Sequence, residues 1–143
     1  MRPRDERGSI APLIIGFALV VGVLVAVVVD ASAAYLRRQG LDSLADAAAL
    51  AATDGLQGEA VYTNGLGAQA EIDPVAARRF VEDYLRSSGA AGRYPGLGWT
   101  VSTTATVVTV RLSGPLDLPL RVPGVGASAT VTGTASAVVV VGD

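Results

Sequence analysis

The strongest pattern in the chain is one uninterrupted apolar run. From Ile10 to Val29, IAPLIIGFALVVGVLVAVVV, twenty residues carry no charge, and all but Pro12, Gly16 and Gly22 are hydrophobic. At 1.5 Å per residue such a helix spans roughly 30 Å, the hydrocarbon thickness of a bilayer. Ser9 is placed to cap it, and Pro12 falls in the first turn, where a missing N–H is tolerated. No second run of this kind follows, so the pattern predicts a single membrane span. The helical period then continues in more polar sequence. In DASAAYLRRQGLDSLADAAALAAT, Leu41, Leu44, Ala48 and Ala51 recur at intervals of three and four and define an apolar stripe. Arg38, Asp42 and Asp46 share another face, with Arg38 and Asp42 spaced for an i,i+4 ion pair. Gly40 costs about 1 kcal/mol relative to Ala, and Asp54-Gly55 marks the expected stop.

Past that point the signals are local. Residues 55–72, GLQGEAVYTNGLGAQAEI, are rich in glycine and read as a loop. Asp73-Pro74 supplies an N-cap and a proline at the first helical position, opening a short helix expected to end near Ser87. Its core face should comprise Ala77, Phe80 or Val81, and Tyr84 or Leu85. After the loop SSGAAGRYPGLG, the stretch from Trp99 to Ser113 is dense in Thr and Val and predicts a strand. Gly114-Pro115 should break it, LDLPLRV should form an edge strand interrupted by Pro119, and Ala127–Val141 should form the last strand, with Gly133 as a bulge. The fold class is therefore α+β: a long N-terminal transmembrane helix continuing outside the membrane, a short second helix, and a small antiparallel sheet of three or four strands. The expected organisation is a cytoplasmic leader over 1–8, a helix over 9–54 with its span at 10–29, and a small extracytoplasmic module over 55–143.

Composition narrows the chemistry. The chain has 143 residues, half of them hydrophobic and 17% charged, with a mean hydropathy of +0.47. Outside the span the apolar share is ordinary, yet much of it is alanine, so the module should have a thin core that leans on the long helix. There is no cysteine and no histidine, and all eleven basic residues are Arg. That removes disulfides, thiolate and imidazole chemistry, Cys/His metal sites, Schiff-base lysines and the P-loop lysine. No catalytic residue, metal ligand or cofactor is expected, and the chain should not be an enzyme. A net charge of −2 and a pI near 5.0 give no basic field for nucleic acid. Arg2, Arg4 and Arg7 precede the span closely, whereas Arg37 and Arg38 follow it at a distance, which places the N-terminus in the cytoplasm.

Several smaller motifs have competing readings. Gly8-Ser9 directly before the span resembles the processing site of type IV pilin-like proteins, cut after the glycine; Leu13 stands where those proteins have Glu at the fifth mature position. The plainer reading is a helix cap. Ala31-Ser32-Ala33 matches a small-x-small signal-peptidase site, with cleavage between Ala33 and Ala34 releasing a secreted binding module. Ala18, Gly22 and Ala26 form a small-residue stripe that would let another helix approach closely in the membrane. Tyr35 suits either the aromatic belt or a contact with the module. The G-x-G-x-x-A strings at Gly65 and Gly124, and the shorter Gly96-x-Gly98, lack the strand-then-helix setting of a dinucleotide site and read as turns. Glu82-Asp83 and Asp42/Asp46 read as solvated helix faces.

The N-terminal helix also carries a family resemblance. Gly8-Ser9 before the span, Asp30 after it, Tyr35-Leu36 with Arg37-Arg38, Leu41, and Ala45-Asp46-Ala47-Ala48-Ala49-Leu50-Ala51 together resemble the TadE-like and TadG-like proteins of the tight-adherence (Flp) pilus system. The likeness covers about 45 residues and becomes generic beyond Thr53. Longer TadG-like proteins carry a von Willebrand A-type domain; the short length and the terminal Thr/Ala/Val strand here look more like the TadE-like members. VVVDASA imitates the metal-binding strand end of that domain, but Ala34 replaces a ligand and the stretch belongs to the span. The resemblance implies a non-enzymatic, membrane-anchored component, pseudopilin-like or an assembly factor, in the bacterial cytoplasmic membrane. Its partners would be the membrane, other pilus-assembly or secretion proteins, and other copies of itself.

Overall fold

The computed structural model describes residues 10–64, 72–116 and 129–139. Along the chain these form α1 (Ile10–Asn64), α2 (Pro74–Ser87), the short α3 (Ala90–Arg93), β1 (Gly98–Thr103), β2 (Val107–Leu116) and β3 (Ala129–Val138). The strands make one antiparallel sheet in the order β1-β2-β3. The fold is α+β, as the patterning requires.

α1 is one helix of 55 residues, unbroken through Gly40. It passes the expected stop at Asp54-Gly55 and takes in half of the stretch read as a loop. Contacts with α2 account for the extension. The Phe80 ring lies against the helix at Gly55, where an added Cβ would sit 2.6 Å from it. One residue on, Leu56 is buried, and Glu59 meets Arg79 at 3.0 Å. Two glycines at about 1 kcal/mol each are outweighed by packing that local propensity cannot register.

The buried arc of the outer half of α1 is wider than one stripe. Leu41, Leu44 and Ala48 are buried as expected, together with Ala45, Ala49, Ala52 and Leu56. Ala51 is only half-buried, which corrects its place in the core. Each residue advances about 100° around the axis, so Ala51 falls at the margin of an arc centred near Ala45 and Ala52. That arc is broad because the helix packs on both the sheet and α2.

α2 follows its sequence signals closely. Asp73 Oδ1 accepts the Val75 N–H at 2.8 Å, Pro74 opens the helix, and Ser87 closes it. Ala76, Ala77, Val81 and Leu85 are buried, with Phe80 and Tyr84 packed at the edge of the core. The following loop is shorter than expected because Ala90–Arg93 forms a helical turn.

The Thr/Val stretch from Trp99 is two strands rather than one. A turn at Thr104-Ala105-Thr106 separates them, with Thr104 N–H donating to Val107 O at 2.9 Å and Val107 N–H donating to the Thr104 hydroxyl at 3.2 Å. A threonine side chain thus does the work usually signalled by Gly or Asn. Nor does Gly114-Pro115 end β2. Pairing with β1 stops at Gly98↔Ser113, so Pro115 sits beyond it, paired only with Thr130 of β3. A proline costs no ladder bond on that open side. Gly133 is not a bulge: Leu112↔Gly133 lies within a continuous register from Val107↔Val138 to Leu116↔Ala129. Its role is close approach of a second backbone. A Cβ there would lie 2.5 Å from Leu41 C and 2.6 Å from Asp42 N.

Alternation sorts the sheet into two faces. Val108, Val110, Leu112 and Gly114 of β2, with Gly133 and Ala137 of β3, are buried toward α1, and Trp99 and Val101 flank them from β1. Thr100, Ser102, Thr109, Arg111, Thr130, Thr132, Thr134 and Ser136 occupy the other face, where Thr109 and Ser136 share a hydroxyl hydrogen bond of 2.8 Å. The edge-strand segment 117–122, the outer ends of the last strand, and the glycine strings at Gly65 and Gly124 lie outside the described residues.

Candidate functional site

The residues singled out by the sequence fall on three surfaces along α1. The first is its apolar beginning. Except for Ala26, side chains from Ile10 to Val29 stand exposed, Leu13 at 74%, Phe17 at 70% and Val28 at 62%. Fully burying each such side chain is worth about 1.5–3 kcal/mol, so an array of this size needs an apolar surrounding. Length and composition suit this part of α1 for crossing a membrane. Within it Ala18 and Gly22 are exposed and Ala26 is half-buried, and no atom lies within 4 Å of a Cβ added at Gly22. The small-residue stripe thus lies on open helix surface.

The second surface is a collar where the apolar part meets the module. Asp30, Ala33 and Ala34 are half-buried. Ser32 Oγ donates to Val28 O at 2.7 Å, folding its polarity back onto the helix. The bond between Ala33 and Ala34 lies inside α1, and VVVDASA is helical, not the end of a strand. Tyr35 is 68% exposed and so does not pack on the module. One turn further, the Arg37 guanidinium carbon sits 4.9 Å from the centroid of the Tyr94 ring. Gly40 makes that approach possible, because any Cβ there would collide with the Tyr94 hydroxyl. Arg37 Nε is buried without a hydrogen-bond acceptor. In the sequence Arg37 counts toward the charge balance and the family resemblance; nothing local announces that Tyr94, 57 positions away, will stack on it.

The third surface is the helix-to-sheet junction. Asp42 accepts the backbone N–H of Thr134 on Oδ1 at 3.2 Å and holds the Arg38 Nε 3.9 Å from Oδ2, the expected i,i+4 pair. Because that N–H points away from β2, Asp42 occupies the middle of the outer edge of β3. Asp46 is exposed on the same helix, one turn on. At the opposite edge of the sheet, Arg78 stacks on Trp99 of β1 at 5.0 Å. Arg86 is shared by Glu82 at 2.7 Å and Asp83 at 3.0 Å, so the adjacent carboxylates are engaged on a solvated helix face. Among the described residues no cluster of acidic side chains is arranged to hold a metal ion. Gly96, at φ +76°, turns the chain into β1, which explains Gly96-x-Gly98 as turn chemistry. The processing candidates Gly8 and Ser9 lie outside the described residues.

These features define a class: an α+β module built on the second half of a helix whose first half is an exposed apolar rod of membrane-crossing length. Residues 8–70, the whole of α1 and its flanks, match the family model of the TadE/G-like Flp pilus-assembly proteins. The match runs past Thr53, where the likeness read from sequence motifs had become generic. No curated protein and no solved structure matches the chain.

Proposed function

We propose that this protein is a non-enzymatic, single-pass component of a tight-adherence pilus or a related secretion machine, with its N-terminus in the cytoplasm and its α+β module outside. The observation that carries this reading is the continuity of α1: the segment matched by the family joins an exposed apolar rod to the helix face that builds the module's core. Any force on the module is transmitted to the membrane through one rigid element. Function then lies in presentation. The apolar half positions the chain, the stripe Ala18, Gly22 and Ala26 offers a close-packing surface to another membrane helix, and β1, an edge among the described strands, offers a place at which a partner strand can add. Asp42 caps the centre of the opposite edge, which favours β1 as the docking side.

The packing claim is tested by Gly22→Leu in the full chain. The variant should remain in the membrane with an unchanged module, yet recover several-fold less of the other pilus-assembly components on co-purification; unchanged recovery refutes it. Mass spectrometry of the mature N-terminus addresses processing. An intact leader supports a plain anchor, a start at Ser9 supports pilin-type cleavage, and a start at Ala34 would replace the anchor by a released module.

A further inference from the structure

The two edges of the described sheet differ in their backbone. Thr104 N–H donates to Val107 O at 2.9 Å where β1 turns into β2, and in an antiparallel ladder bonded pairs alternate with unbonded ones. Followed back through the register, Ser102, Thr100 and Gly98 bond to β2, whereas the N–H and C=O groups of Trp99, Val101 and Thr103 point outward. The same alternation turns Arg111 toward Thr100 and leaves Thr134 facing away from β2, where Asp42 meets its N–H at 3.2 Å. β1 reads Gly-Trp-Thr-Val-Ser-Thr, without the proline, charge or bulge that usually protects an open edge.

The helix layer leaves room beneath one more strand on that side. α1 packs on β2 and β3, and α2 packs on β1. Packed helices lie about 8–10 Å apart and strands about 4.8 Å, so α2 stands two strand widths from α1 and reaches under the next strand position. Arg78 of α2 stacks on Trp99 at 5.0 Å, and among the described residues no carboxylate pairs with it. Glu82, one turn on, is taken by Arg86 at 2.7 Å. Val75, about 60° around the helix from Arg78, is 76% exposed. A strand bonded to Trp99 would set the side chain opposite it on the same face, about 5.5 Å away, beside this guanidinium.

We propose that the free edge of β1 takes up, as a fourth antiparallel strand, an extended segment of another protein that carries a carboxylate opposite Trp99, held by Arg78. Main-chain bonds to Trp99, Val101 and Thr103 give the affinity, and the acid sets the register. This deepens the docking role of β1 stated above and rests on that single-pass reading, which excludes a second copy as the occupant. Antiparallel pairing of two β1 strands requires a two-fold axis normal to the sheet, so the two α1 rods would run in opposite directions, which a shared membrane orientation forbids. Pairing of β1 with β3 of a copy standing parallel to it meets Asp42 on the Thr134 N–H.

Amide exchange measured by NMR on the full chain in detergent micelles tests this, with the capped peptide Val-Thr-Val-Thr-Glu-Thr as probe. Its Glu falls opposite Trp99 when its first residue meets Thr103. In the free chain Trp99, Val101 and Thr103 should exchange about tenfold or more faster than Thr100 and Ser102, and the peptide should slow these three several-fold. The same peptide with Gln for Glu should bind about three- to fivefold more weakly, as for a partly exposed ion pair, and Arg78→Gln should bind both peptides equally. Val101→Pro removes an outward N–H and no bond to β2, and should abolish the protection. Equal binding of the two peptides to wild type, a Glu preference that survives Arg78→Gln, or protection at Thr130 and Thr132 of β3 instead overturns the proposal. So does protection of β1 that grows with chain concentration in the absence of peptide, which would make a second copy the occupant. Carbonate extraction run in parallel separates the two readings: wild type released from the membrane defeats the anchor, whereas an anchored chain that the peptide leaves unprotected defeats only the β1 site.

Discussion

Single glycines show how far one residue's meaning depends on what lies opposite it. Gly133, Gly40 and Gly55 each leave room for another group, but the groups differ in their ability to move. At Gly133 the neighbours are the backbone atoms of Leu41 and Asp42 at 2.5–2.8 Å, which cannot yield without shifting α1. Gly133→Ala should therefore cost about 2–3 kcal/mol, the range of overpacking in a tight core, read as a lowered midpoint in chemical unfolding. Gly58 is the contrast. It lies within α1 and nothing stands within 4 Å of an added Cβ, so Gly58→Ala should stabilise by about 0.5–1 kcal/mol through helix propensity and a less flexible unfolded chain. Both glycines read alike as loop or bulge signals in sequence. Their roles were illegible because spacing records only the residue's own chain, whereas the cost of a Cβ is set by a segment about ninety positions away in one case and by empty space in the other.

At the scale of elements, local signals succeeded where a side chain acts on its own backbone. Asp73-Pro74 started α2 and the helical period carried α1 through Leu41–Ala52, since capping and amphipathic spacing are short-range effects. They failed where two elements settle a boundary between them. Residues 55–64 are helical because Phe80 and Arg79 of α2 lie against them. Phe80→Ala should consequently loosen the end of α1: amide exchange over 57–64 should accelerate by about tenfold or more, while Leu41–Ala52 stays protected by the sheet. Equal protection in both segments would show that the extension stands on its own propensity. The hairpin at Thr104–Thr106 is the matching case in the sheet. A threonine that favours strands also closes the turn with its hydroxyl, so a count of β-formers runs straight through it. Much of the collar was legible piecemeal, as a tyrosine, two arginines and a serine, but the Arg37–Tyr94 contact that joins it to the module was not.

For the whole molecule, the core decides which parts can exist alone. Leu41, Leu44, Ala45, Ala48, Ala49 and Ala52 of α1 fill the space against Val108, Val110 and Leu112 of β2 and Val81 and Leu85 of α2. The module is therefore not the chain from 55 onward; its core includes the second half of the helix. A soluble fragment beginning at residue 36 should fold cooperatively, whereas one beginning at 55 should show no cooperative thermal transition by circular dichroism, since it lacks one wall of a core already small in large side chains. A cooperative transition in the shorter fragment would refute the shared-core account. The arrangement also explains why anchor and module belong to one element: cutting the helix anywhere between Arg38 and Leu56 removes core.

What the amino-acid sequence determined by itself is what depends on near neighbours or on bulk transfer from water: the apolar rod at 10–29, the continuation of helix beyond it, the capped α2, the strand-forming Thr/Val segments, the α+β class, and the absence of imidazole, thiol and lysine chemistry. Only the tertiary structure decided where α1 ends, that Gly133 and Gly40 are contact points, that Asp42 caps the edge of β3, and that Tyr94 stacks on Arg37. Each of those is a pairing of residues far apart in the chain, fixed by which surfaces must exclude water together, and no spacing along a single segment encodes it.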